Sequence, residues 1–185
     1  MASHDYEFLT CWRVDATPEE VYDVIADVPS LTRWWPAVYL KVTPLEPGGE
    51  GGVGRVSELW TKGFLPYTLR WRFRVTDVRR PERITLDAEG DFVGRGVWTF
   101  SASHGQTDVA FDWRLRAHKP VLRTLSFLLK PVFSANHRWA MARGEQSLRL
   151  ELLRRRARTE DERSRVPRPP GPTFPHNLRK GARAG

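Results

Sequence analysis

The 185-residue chain has one cysteine and five histidines, and each scarcity removes a class of protein. With Cys11 alone no intramolecular disulfide can form, which fits a reducing compartment. The histidines are scattered, with no pair at metal-ligand spacing, so no metal site and no cofactor is expected. No Gly-x-Ser-x-Gly elbow is present, and Cys11 lies mid-strand without an identifiable base, which leaves covalent catalysis unsupported. Long apolar runs are missing too: Leu125 to Phe133 is interrupted by Lys130 and Pro131, far short of the ~18 residues of a spanning helix. Met1 to Tyr6 has neither a basic nor an apolar signal region, so the expectation is a cytoplasmic protein.

Acidic residues are in deficit, but only locally. The chain carries 30 Lys and Arg against 22 Asp and Glu, a net charge of +8. From Arg154 to Gly185 there are ten Lys and Arg and three Asp and Glu, whereas the preceding 153 residues hold 20 and 19. The folded part is therefore nearly neutral and the basic balance describes a tail. Aromatics are plentiful: eight Trp and nine Phe supply large apolar area for few ordered side chains. The length suits one domain with an appendage, with enough chain to bury a core.

Tyr6 to Val14 alternates as a strand, with Phe8, Thr10, Trp12 and Val14 on one face. Thr17-Pro18-Glu19-Glu20 then supplies an N-cap hydroxyl, a proline at the first helical position and a glutamate at N3. Val21, Val24, Ile25 and Val28 follow at helical spacing, and a second short helix over Ser30 to Trp35 is stopped by Pro36. From Ala37 to Ala117 strands alternate with turns. In Tyr67 to Val78, Leu69, Trp71, Phe73 and Val75 oppose Arg70, Arg72 and Arg74. In Thr107 to Arg116, Val109, Phe111, Trp113 and Leu115 share one face. Such strands indicate an antiparallel sheet with one buried face. Gly90 to Gly96 is expected as a connection leading into a strand from Val97 to Ala102. Gly49-Glu50-Gly51-Gly52-Val53-Gly54 has the letters of a dinucleotide fingerprint, but the strand-like Arg55 to Leu59 follows it, so no helix N-terminus is available for a pyrophosphate. A long helix is expected from about Pro131, where the missing N–H predicts a break. Its inward stripe runs Phe133, His137, Ala140, Met141, Gly144 and Leu148. Beyond Arg158 the Pro-rich, charged chain cannot offset its ordering entropy and is expected to be disordered.

Three segments carry a family resemblance. They are Ala16 to Asp27 followed by Arg33-Trp34-Trp35-Pro36, then Gly90 to Trp98, and Asn136 to Glu145. Over roughly residues 6 to 155 the chain resembles the START-like superfamily of polyketide cyclases/dehydrases (SRPBCC, Bet v 1-like), in a bacterial-type subgroup. The resemblance implies an α+β helix-grip fold: a curved antiparallel sheet of about seven strands wrapped around a long C-terminal helix, with two short helices after the first strand. The division that follows is a helix-grip ligand-binding domain over 1–158 and a disordered basic Pro-rich tail over 159–185. The family implies a pocket between sheet and helix for a lipid, polyketide or isoprenoid-like ligand; most members bind, and some catalyse cyclisation or dehydration.

The candidate ligand-binding residues are the inward aromatics of that sheet. Trp71, Phe73, Trp98, Phe100, Phe111 and Trp113 face Phe133 and Met141 of the helix, and each could equally be packed core. A sheet gripping one helix does not readily fill its concavity, which favours a cavity lined by such side chains. Trp34 and Trp35 are candidates for a wall or lid, one facing in and the other packing. His137, on the inward stripe, is either a hydrogen-bonded core histidine or the polar group that orients a ligand or acts as acid/base. Asp91 borders the expected pocket mouth, with a locally bonded turn as its alternative. Three functions stay open: a non-catalytic carrier or sensor of a hydrophobic small molecule, a cyclase or dehydratase using His137, and a tail that contacts nucleic acid or anionic surfaces. The near-absence of tail aromatics weighs against specific nucleic-acid binding.

Overall fold

The computed structural model describes residues 5–117 and 120–174, with side chains over 6–116 and 131–174. β1 (Asp5–Val14) leads into α1 (Pro18–Ala26), a 3-10 turn at Val28–Ser30 and the short α2 (Leu31–Trp34). Six strands follow: β2 (Tyr39–Glu46), β3 (Val56–Lys62), β4 (Thr68–Arg79), β5 (Arg83–Gly90), β6 (Phe92–Ser103) and β7 (Gln106–Ala117). α3 (Pro120–Arg156) and α4 (Glu160–Arg165) complete the described chain. The sheet has seven strands in the order β1-β7-β6-β5-β4-β3-β2. Every pairing is antiparallel. Register shifts in β2 and between Val75 and Asp77 of β4 bend the strands, as bulges do, and help curve the sheet. This is the α+β helix-grip architecture.

α1 starts where the capping box sets it. Thr17 Oγ1 accepts from the Glu20 N–H at 3.3 Å, and Glu20 Oε2 accepts from the Thr17 N–H at 2.9 Å. Its buried face, Val21, Tyr22, Val24 and Ile25, closes one end of the concave sheet, where Tyr22 meets Phe100 edge-on at 5.7 Å. α3 lies along the concavity with Met141, Leu148 and Leu152 buried. Gly144 lets Trp35 reach the helix backbone: a Cβ there would stand 2.3 Å from Trp35 Cζ2. The C-terminal half of α3 is clamped by charge. Glu151, 1% exposed, accepts two 2.7 Å bonds from Arg33 and one of 2.9 Å from Arg155. Arg155 also pairs with Asp27, and Arg156 with Glu20.

Three segments differ from the sequence expectation. The glycine-rich run after Asp91 is strand, not connection, with Gly94 opposite Leu115 and Gly96 opposite Trp113. The second glycine is spacing: its Cβ would lie 2.8 Å from the Trp113 ring. α3 begins before Pro131 and runs through it, since one missing N–H costs a hydrogen bond without ending a helix packed elsewhere. The stretch 159–174, expected to lack structure, includes a short helix: α4 carries its own capping box, Thr159 with Glu162. Arg154 donates to the carbonyls of Val166 and Pro167, and Thr173 Oγ1 donates to those of Gly63 and Phe64. Backbone hydrogen bonds and a cap therefore supply what apolar burial does not. The tail beyond Phe174 lies outside the described residues.

Candidate functional site

A cavity of about 210 Å³ opens between α3 and the end of the sheet away from α1. The inward alternation of three strands builds most of its sheet side. β1 contributes Tyr6 and Phe8, β4 Leu69 and Trp71, and β7 Phe111, Trp113 and Leu115. The rings are in contact: Trp71 lies 5.1 Å from Phe92 and 5.7 Å from Trp113, centroid to centroid. Phe133, His137, Ala140 and Met141 face them from α3, one helical turn apart. Trp35, Val38 and Tyr39 close the side between α2 and β2, and Thr61, Lys62 and Tyr67 surround the β3–β4 turn.

The sequence candidates divide accordingly. Trp35, Trp71, Phe111 and Trp113 are on the wall, as are Phe133, His137, Met141 and Asp91. Trp34, Phe73, Trp98 and Phe100 are not: they are buried in the core beneath α1 and α2, with Trp34 at 0% exposure. All four point inward, but at the end of the sheet that helices seal. Trp98 is the boundary, stacked at 4.0 Å on the Phe111 ring that does reach the cavity.

Few polar groups interrupt this apolar surface. His137 stacks on Phe8 at 4.3 Å, and its Nε2 is 3.3 Å from Thr10 Oγ1. Burial pushes its pKa down to about 4, so the ring is neutral at pH 7 and can donate or accept one hydrogen bond toward the cavity. Burial also holds the Tyr39 and Tyr67 phenols above their ordinary range, keeping them protonated donors. Trp71 Nε1 donates to Thr61 Oγ1 at 2.9 Å. Asp91 Oδ2 accepts from the Arg70 N–H at 3.0 Å, which ties the carboxylate to the β4–β5 pair. Lys62 is 3% exposed and donates to the Thr173 carbonyl; desolvation pulls its amine down. Among the described residues no group of three or more His, Cys, Asp and Glu is placed to hold a metal ion.

Sequence reasoning passed over several wall residues. Leu69 and Leu115 could have been found, since each is two positions from a chosen aromatic on the same strand face, and Tyr6 and Phe8 from the alternation of β1, which they share with Trp12. Tyr67, just before β4, was likewise in phase with Leu69 and Trp71, whereas Tyr39, Thr61 and Lys62 gave no signal, because they sit at bulged or terminal strand positions where alternation fails.

The family model for "Polyketide cyclase / dehydrase and lipid transport" matches residues 14–143, from the end of β1 well into α3. The chain belongs to that family. The matched stretch includes the cavity wall from Trp35 to Met141. Solved structures agree in fold. TTHA0849 of Thermus thermophilus superposes with a TM-score of 0.66 at 19% identity, over 82% of this chain and 100% of that one. The di-domain ARO/CYC BexL of the BE-7585A biosynthetic pathway gives 0.62 at 16% identity, over 84% of this chain and 51% of BexL. A Rhizobium leguminosarum protein gives 0.56 at 14%, over 80% and 94%. At these identities the likeness is one of fold. No curated protein matches this chain.

Proposed function

We propose that this family member binds an apolar small molecule in the cavity, as a carrier or sensor in the cytoplasm. One observation carries the reading: at the open end, aromatic side chains surround space that they do not fill. The 210 Å³ exceeds the ~150 Å³ apolar cavity that accommodates a benzene ring. It is below the roughly 300–1,000 Å³ of drug-sized sites, so the guest is small. Desolvation supplies the affinity, about 25 cal/mol per Å² of apolar area removed from water. His137 and the phenols of Tyr39 and Tyr67 supply orientation. The basic run at the end of α3 supports this reading over a nucleic-acid one, since Arg155 and Arg156 are occupied by Asp27, Glu151 and Glu20.

The test is native mass spectrometry of protein purified from its own host. The expected result is a small-molecule adduct that denaturation removes. Protein without an adduct that also fails to take up the neutral dye Nile red would overturn the reading.

The family description and the position of His137 favour a second reading, a cyclase or dehydratase using the same cavity. With a pKa of about 4, only roughly one His137 in a thousand is protonated at pH 7, which makes it a poor general acid. Turnover of β-polyketone substrates by the wild type and by His137→Ala decides this. Equal, background-level rates remove the catalytic reading.

A further inference from the structure

We infer that the guest of this cavity is an acid, an apolar molecule whose carboxylate pairs with the ammonium of Lys62. The inference rests on the proposed binding function and names the chemical class of its ligand.

Two charged side chains among the described residues are buried, and they are treated in opposite ways. Glu151, 1% exposed, is met by Arg33, Arg155 and Arg154. Lys62, 3% exposed, has no carboxylate within ion-pair reach among the described residues. Its ammonium gives one hydrogen bond, to the Thr173 carbonyl, and lies 5.5 Å from the Phe174 ring centroid. An ammonium has three donors, and a carbonyl and a ring face offer partial charge rather than a counterion. Buried charges are ordinarily paired because desolvation is costly. Here the exception is a wall residue of the cavity. The lowered amine pKa reports the same shortage, and an anionic guest would reverse it.

The surroundings suit a carboxylate at this point. Lys62 is anchored at the end of β3, where its N–H donates to the Val38 carbonyl at 2.9 Å. Tyr39 pairs in register with Thr61, and Tyr67 precedes the Thr68 that faces Lys62, so two phenol-bearing residues lie next to Lys62 along the backbone. Both phenols line the cavity and remain donors. A carboxylate accepts about four hydrogen bonds and can use such a cluster. One ammonium balances one negative charge, which suits a carboxylate better than a phosphate monoester carrying nearly two.

Octanoate and 1-octanol share a chain and differ in the head, and each can displace Nile red from the full chain at pH 7. The expected result is that octanoate binds the wild type about ten-fold or more tighter than octanol. Lys62→Met abolishes that preference while keeping octanol binding, and Lys62→Arg retains it. Equal affinities in the wild type, a measurement that needs no variant, overturn the inference. So does a preference that survives Lys62→Met. If octanol binds and octanoate does not bind better, only the acid falls. If neither displaces the dye, the binding function falls and takes the acid with it.

Discussion

Beneath α1 and α2, Trp34, Trp98 and Phe100 are sealed at 0%, 7% and 2% exposure, whereas at the far end of the same concave face Trp71, Phe92 and Leu115 are half-buried around 210 Å³ of space. The hollows at the sealed end are about 50 and 60 Å³, room for little more than water. The side chains are of the same kinds at both ends, so composition does not decide which end packs. Cover decides it. The sealed end receives Val21, Val24 and Ile25 from α1 and Leu31 and Trp34 from α2, all within the core cluster. The open end has α3 as its main cover, through the half-buried Phe133, His137 and Ala140. The short helices are thus stoppers that fill one half of a trough and leave the other to a guest.

The largest effect that could break this comparison comes from truncating one aromatic at each end. Trp34→Ala removes a fully buried ring from a packed site and should cost about 3–5 kcal/mol, read from urea unfolding with an unchanged m-value. Phe133→Ala borders space that already exists, and should cost no more than about 1–2 kcal/mol while changing Nile red affinity. Equal losses at the two ends would erase the distinction between stopper and cavity.

The fold was legible because its signals are local. Thr17 and Glu20 mark the start of α1, and the alternation of Leu69 to Val75 and Val109 to Leu115 marks the buried face. Which inward residues meet a void was not legible. Phe73 and Trp71 are neighbours on one face of β4, yet only the second reaches the open cavity, a fact of tertiary cover rather than of spacing. Gly94 and Gly96 misled in another way: a glycine that makes room for Trp113 and Leu115 looks in sequence like one that makes a turn. Lys62 was hidden by its neighbours, because a lysine before glycine reads as a solvated turn until the returning Thr173 covers it.

A second, smaller effect separates the ends by pH. His137 belongs to the open end and has a folded pKa of about 4, below the ordinary ~6.5. Between those values the unfolded chain takes up a proton that the folded chain refuses, so stability falls as pH drops through 6.5 toward 4. The full contribution is on the order of 3 kcal/mol. Above pH 5 the paired carboxylates Glu20 and Glu151, held below their usual values, stay ionised in the folded state. For Glu151 burial alone would raise the pKa, and the bonds from Arg33 and Arg155 outweigh it. Urea midpoints between pH 5 and 6.5 therefore isolate the histidine. The wild type should lose stability across that interval and His137→Gln should be flatter. Parallel slopes would mean that the imidazole is solvated and the open end is not apolar where it meets α3.

The smallest effect concerns the returning tail, which reaches the open end through polar contacts. Thr173 Oγ1 lies 3.0 Å from the Phe64 carbonyl and 3.3 Å from that of Gly63, while Phe174 remains 46% exposed. Thr173→Val keeps the shape and removes the hydroxyl, at a local cost of about 1 kcal/mol. Global unfolding should not register it, because the strap can detach without opening the core. Tryptic cleavage after Arg165, the last susceptible bond before the strap, should: about 1 kcal/mol raises the detached population about five-fold, and the cleavage rate with it. The sealed end offers a control, since tryptic cleavage there requires global opening and should be unchanged. If the chain is cut after Arg165 at the wild-type rate in Thr173→Val, the hydroxyl does not hold the strap, and the Lys62 contact to the Thr173 carbonyl must hold it instead.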